Sequence, residues 1–315
     1  MEQNEVREQP EKFAEVKNEV TTKQTPVIPT TALLSPQAEG ETCPNCAETA
    51  ASSNSNGAEP VRYIYAMGKI EARFPSPAIE KEFAQVTGRT ETKGLTDQQA
   101  FHSVLSQKQN RYIARQLCYV FTIEGMETYI LYPRDPVGLD LLVEAIRPTP
   151  HATDIDIVIG VRGPVAPAEM CNGLVVPIVF FDQIYSFDTD TLVKSIPRPE
   201  KATAKEFEPA AEELFNRIMQ LADNAGALDD HRALNYLAVR YPAIFAKAAE
   251  EYGRNSSLSG VEVRPSRLSG VRTIVDVIFS YTNRGTDVTE KYFVRVDVTE
   301  EFPFLVTKLS PFYDR

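Results

Sequence analysis

The stretch YVFTIEGMETYILY, Tyr119 to Tyr132, constrains this chain more than any other. Two runs rich in aromatic and β-branched residues, Tyr119 to Ile123 and Glu127 to Tyr132, flank Glu124-Gly125, a pair suited to a tight hairpin turn. Any fold of this chain has to contain that antiparallel pair.

The pattern on either side is mixed. VRYIYAMGKIEARF from Val61 reads as a strand closed by Pro75. Ser76, Pro77 and Glu80 then announce a helix with Ile79, Phe83 and Val86 inward and Gly88 as its stop. Further helices are expected at Asp97 to Ser106 and Asn110 to Cys118. After Pro133 to Pro136, GLDLLVEAI has a helical apolar stripe, and DIDIVIGVRG alternates like a strand. LVVPIVFFDQIYSF suits a strand buried on both faces, with Pro177 demanding an edge or a bulge. These elements suggest one mixed sheet in the first half. Lys205 to Ala225 has helical spacing and is expected to stop at Gly226, and two more helices follow, the second starting at Pro242. Strands return in TIVDVIFSYT, DVTEKYFVRVDV and Phe304 to Leu309. The fold class is therefore α+β, a mixed and largely antiparallel sheet with a helical layer. It occupies residues 61–315, with a possible subdivision near residue 200.

The first 60 residues lack sustained apolar periodicity and read as a disordered tail, with a short helix at Val6 to Val20 as a docking peptide. Over the 315 residues, 33 Lys and Arg stand against 44 Asp and Glu, a net charge of −11, which disfavours binding to phosphate backbones. No apolar stretch reaches the roughly 20 residues that span a bilayer, and the N-terminal segment does not resemble a secretory signal. The expected location is the cytoplasm, and four cysteines in that setting argue for thiols or a metal site rather than a disulfide framework.

The long run from Arg111 to Phe187 and the ordered segments YPRDP, VIGVRGP, EMCNG and EVRPSRLSG carry a family likeness. From about Val61 to Arg315 the chain resembles the C-terminal domain of unknown function of the PatA and PatG cyanobactin maturation proteases. The resemblance implies a place in ribosomal peptide maturation, recruiting a precursor peptide or another enzyme. It does not imply proteolysis, because the subtilisin-type domain lies outside this module and its catalytic residues have no matching positions here. A short acidic tail stands where that domain would be, which implies action in trans.

The residues themselves favour a non-catalytic accessory module that docks a peptide or protein, with an exposed sheet edge as one route. The connection Arg162 to Gly173 is long and punctuated by proline and glycine, as binding loops often are. Arg162, Glu169 and Asn172 on it, with Arg134 and Asp135, are the candidate binding residues. Arg162 is suited to clamp a carboxylate or to pair with Glu169. Asp135, Asp140, Asp154, Asp156, Asp182 and Asp188 gather near strand ends, where acid-base chemistry in a peptide-tailoring enzyme is the competing reading and capping is the plainer one. Cys43-Pro44-Asn45-Cys46 offers half a zinc site, complete if two copies of the chain share one ion in a homodimer. His102, His151 and His231 have no partner at ligand spacing. Arg264, Arg267 and Arg272 around PSRLSG read as a solvated connection, and no P-loop, dinucleotide or zincin motif is present.

Overall fold

The hairpin forms as its sequence requires. Strands β2 (Cys118–Ile123) and β3 (Met126–Pro133) pair antiparallel, with Glu124 at φ 50° and Gly125 at φ 79° in the turn. The computed structural model describes residues 61–88, 94–195, 204–219 and 223–313, and residues Gly57–Arg315 form one compact unit. The readings for the first 60 residues, including Val6 to Val20, Cys43 and Cys46, lie outside the described residues.

Around the hairpin a five-stranded barrel closes. Strand β1 (Tyr63–Arg73) pairs with β2 on one side and with β4 (Asp154–Val165) on the other, while β5 (Pro177–Asp188) lies between β3 and β4. Only the β3 and β5 pairing is parallel. Helix α4 (Gly138–Ala145) fills the connection from β3 to β4. The order β1-β2-β3-β5-β4 with return to β1 is that of an OB-fold barrel. The expected mixed, largely antiparallel strands are present, and the one mixed sheet expected in the first half closes into a barrel. Its two margins pair with each other, a long-range event that leaves no local signature.

Closure depends on β1. Tyr63 to Gly68 pair with β4 and Lys69 to Arg73 with β2, so the strand passes between neighbours at Gly68. A Cβ there would lie 2.2 Å from the Thr122 carbonyl oxygen and 2.9 Å from the Phe121 ring. The bend therefore needs glycine. Ile64, Ala66, Phe121, Leu131, Val158 and Phe181 fill the interior, joined by Leu139 and Leu142 of α4. Alternation sends Tyr65, Met67, Ile155, Ile157 and Ile159 to the outside of the wall.

That outer stripe meets a helical layer. Helices α6 (Ala204–Met219), α7 (Asp229–Arg240) and α8 (Ala243–Gly253) pack between the barrel and a second sheet, β6 (Ser256–Pro265), β7 (Ile274–Asn283), β8 (Thr289–Asp297) and β9 (Phe304–Pro311). The sheet is antiparallel in the order β6-β7-β8-β9. One apolar cluster runs from Tyr65 and Ile157 through Phe207, Leu214, Leu237 and Phe245 to Val277, Phe279 and Val296.

The remaining elements are short. Helices α1 (Pro77–Thr87) and α2 (Asp97–Leu105) lie between β1 and β2, the second opened by reciprocal hydrogen bonds between Thr96 and Gln99. Helix α3 covers only Arg111–Ala114, so the helix expected to reach Cys118 is corrected: Cys118 already begins β2. Helix α5 (Thr189–Ser195) follows β5 directly. Pro177 opens β5 opposite Val165, where the register with β4 shifts, and needs no edge position. Gly226 does not cap α6, which is described to Met219. Its φ is 68°, and a Cβ would lie 2.4 Å from the Tyr65 carbonyl oxygen. A glycine demanded by close backbone approach looks in sequence like a helix stop.

If Gly68 permits the crossing of β1, then Gly68→Ala should lose at least about 2 kcal/mol of stability in a chemical denaturation curve. Stability within about 0.5 kcal/mol of the parent chain would show that the barrel closes without it.

Candidate functional site

The bend at Gly68 also opens a cleft. A concavity of about 750 Å³ lies where β1, the β2–β3 turn, the start of β4, α5 and α6 meet. Its apolar lining is Ile155, Val193, Phe215 and Met219, with Val193 and Phe215 buried because they also serve the helical core. Glu71, Glu124, Asp154, Asp190 and Glu212 supply carboxylates, and Lys69 is the one cationic residue lining it. Among the described residues that line it there is no His, Cys, Ser or Tyr. Each segment looked ordinary in sequence, and the cleft was missed. Two hints existed: Gly68 inside a strand, and Glu124 at a turn position that favours Asn or Gly.

The candidate binding residues separate into two places. Arg134 and Asp135 line a pocket of about 390 Å³ whose wall includes Leu117, Tyr119, Leu131 and Leu139. Asn172, at φ 46°, lines a smaller one of about 320 Å³ with Arg73, Phe74 and Glu127. Arg162 and Glu169 line neither, and among the described residues no ion pair joins them. Neither of these two pockets therefore gathers all five residues. Asp135 accepts the Gly138 N–H at 2.8 Å at the start of α4, and Asp188 accepts from Thr191 and the Asp190 N–H at the start of α5. Asp188 caps α5 and Asp135 closes the turn that leads into α4, the capping and turn-forming roles of the plainer reading.

The loop itself is closed down. Ala166, Met170, Cys171, Leu174 and Val176 pack on Cys118, Val120 and Ile130, the outward residues of β2 and β3. A disulfide joins Cys118 to Cys171, with the Cα atoms 5.8 Å apart. That corrects the expectation of thiols for this pair. Cysteine count and setting say nothing of a loop that folds back to close 53 residues of separation. This β2–β3 face is where OB barrels hold oligonucleotides and oligosaccharides. Here the chain fills it, in keeping with the net charge of −11.

Two carboxylate networks remain. Arg147 bridges Asp154 and Asp156, and also donates to the Ile155 and Phe187 carbonyls at 3.4 and 3.1 Å. Asp156 accepts the Ile70 N–H at 2.9 Å, and burial holds its pKa above the ordinary value. The second network joins the barrel to the second sheet. Arg134 pairs with Asp182 of β5 and lies 3.4 Å from Glu301, in the β8–β9 connection. Burial and the Asp182 carboxylate together push Glu301 up to about 7. Burial works to raise Asp182 as well, but hydrogen bonds from Glu301 and Arg134 outweigh it and the net shift is downward. The two carboxyls share one proton and titrate as a pair. Sequence could not show the pair, which spans barrel and sheet. Among the described residues no cluster of three or more His, Cys, Asp or Glu is placed to hold a metal ion. No described helix is long and apolar enough to cross a membrane.

These features define an α+β protein in which an OB-type barrel joins a helix-backed antiparallel sheet. Residues 201–312 match the family described as PatG C-terminal, a range that takes in α6 to α8 and the whole second sheet. A solved structure titled "PatG Domain of Unknown Function" has the same fold, with a TM-score of 0.65 and 19% sequence identity over 80% of this chain and 98% of that one. No curated protein sequence matches. The resemblance read from the sequence is thus borne out: the chain is similar to the PatG C-terminal domain, in sequence over residues 201–312, which include EVRPSRLSG, and in fold over 80% of its length.

The Glu301 proton has a measurable consequence. Its folded pKa of about 7 lies above its ordinary value of 4.5, so folding takes up protons in between. Stability is then fullest below about pH 4.5 for this group and falls as pH rises through 7. Between pH 5 and 8 the parent chain should lose about 1 kcal/mol more than Glu301→Gln, which has no proton to release, because solvent screening at this partly exposed pair cuts down the roughly 2.5 kcal/mol that the full shift implies. Parallel stability profiles for the two would contradict the shared proton.

Proposed function

We propose that this chain is a non-catalytic accessory module that holds a segment of another polypeptide, a precursor peptide or a maturation enzyme, in a cyanobactin-like ribosomal peptide pathway. The cleft of about 750 Å³ carries this reading: its floor is apolar, its rim is polar, and it is walled by both the barrel and the helices. Such a lining suits a side chain inserted from a partner with the partner's backbone left at the rim. The likeness to the PatG domain supports the pathway. The closed barrel offers no strand edge, so docking by strand addition is left to the margins of the second sheet, β6 and β9, the latter beside exposed Phe302 and Phe304.

A peptide-tailoring enzyme is the second reading. It finds its best support in the Asp182 and Glu301 pair, where one carboxyl titrates near neutrality. A homodimer stapled by zinc at Cys43 and Cys46 remains a third proposal, tested by native mass spectrometry with and without a chelator.

The first two readings separate in one experiment. Fluorescein-labelled decapeptides that alternate leucine with lysine, serine or aspartate are titrated into the protein, then incubated with it and weighed by mass spectrometry. At least one should bind, should bind about tenfold more weakly to Met219→Asp, and should keep its mass. If none binds, the accessory reading fails. A mass change that Glu301→Gln abolishes would replace it with the enzyme.

A further inference from the structure

We infer that the cleft beside Gly68 is a site for a polypeptide segment carrying lysine or arginine next to apolar side chains, an inference that rests on the polypeptide-holding reading above. The charges around the cleft are unequally matched. Glu71 pairs with Arg73 at 2.8 Å, and Asp154 pairs with Arg147, so both are neutralised within the chain. Glu124, Asp190 and Glu212 also line the cleft, and among the described residues none of the three has an ion-pair partner. Lys69, the one lining cation, donates to the Ala152 carbonyl at 2.9 Å.

The three unmatched carboxylates come from separate elements. Glu124 sits in the β2–β3 turn, Asp190 in the first turn of α5 and Glu212 in α6. All three are exposed, while the apolar lining between them includes Val193 and Phe215, both buried, and Met219, half-buried. The arrangement asks for an occupant with positive charge and apolar bulk together. Nucleic acid brings the wrong charge. A bare cation leaves the apolar floor unused, and the carboxylates are not clustered to chelate one. A basic and apolar polypeptide segment satisfies both requirements: burial of its apolar side chains supplies affinity, and the carboxylates select its sign.

The test uses the full-length protein and the same three decapeptides at low and high salt, read by fluorescence anisotropy. The lysine/leucine peptide should bind about tenfold more tightly than the aspartate/leucine peptide, with the preference shrinking at high salt. Combining Glu124→Gln, Asp190→Asn and Glu212→Gln should weaken its binding about tenfold. Neutralising exposed Glu80, Glu144 and Glu262, none of which lines the cleft, removes the same formal charge and should change it less than about twofold. Glu124→Asn guards against misfolding as the explanation. Asparagine suits the left-handed turn position better than glutamate, so this variant should melt higher and yet bind the lysine/leucine peptide more weakly.

Equal losses in the two triple variants would overturn the site, because attraction to an acidic protein at large would then suffice. If the serine or aspartate peptide binds the cleft as tightly as the lysine peptide, the basic class falls while the polypeptide-holding reading stands. If no decapeptide binds, both fall. Spermine brings charge without apolar side chains, so competition by spermine at the peptide's own affinity would overturn the polypeptide class.

Discussion

The double pairing of β1 underlies the rest of the structure. Its first half completes the barrel against β4 and its second half against β2, with Gly68 between them. The same strand holds the helical layer. The Tyr65 N–H donates to the Gly226 carbonyl at 2.9 Å, and the Tyr65 carbonyl accepts the Asn235 side chain at 2.8 Å. Asn235 is fully buried and also exchanges hydrogen bonds with Asn224, so this contact is fixed in direction as well as position. Barrel, helices and cleft are therefore registered to one strand.

Closure and pairing also redistribute the surfaces on which a ligand can dock. The loop after β4 covers the outward face of β2 and β3 and is held there by Cys118 and Cys171. What the barrel gives up on that face it offers at the hairpin turn, where Glu124 and Gly125 stand beside α5 and α6. The cleft combines parts that belong to different neighbourhoods of the sequence. α6 lies within the residues that match the PatG C-terminal family, while Gly68 and the hairpin turn precede them.

The parts legible in the sequence were those set by neighbours in the chain. The Glu124-Gly125 turn, the stripe of α4, the alternation of β4 and the β7 and β8 pair all follow from local chemistry. Closure by β1 and β4, the parallel β3 and β5 pairing and the disulfide across 53 residues depend on the whole topology. For the site the division is similar. Arg134 and Asp135 stand out in the sequence as loop residues beside prolines, and they line a pocket on the barrel. Glu301 was missed because its partner Asp182 lies on another element, and Glu212 because an acidic residue on an amphipathic helix is unremarked. Gly226 misled for a related reason: a helix stop and a close backbone approach make the same demand for glycine.

Hydrogen exchange of the full-length protein, with and without the lysine/leucine decapeptide, tests the central claim most directly. The account predicts slowed exchange confined to residues 68–71, 122–125, 152–155, 189–193 and 212–219, the segments that wall the cleft. Protection along residues 304–311 with the cleft unchanged would place the docking surface on the β9 edge and contradict the account.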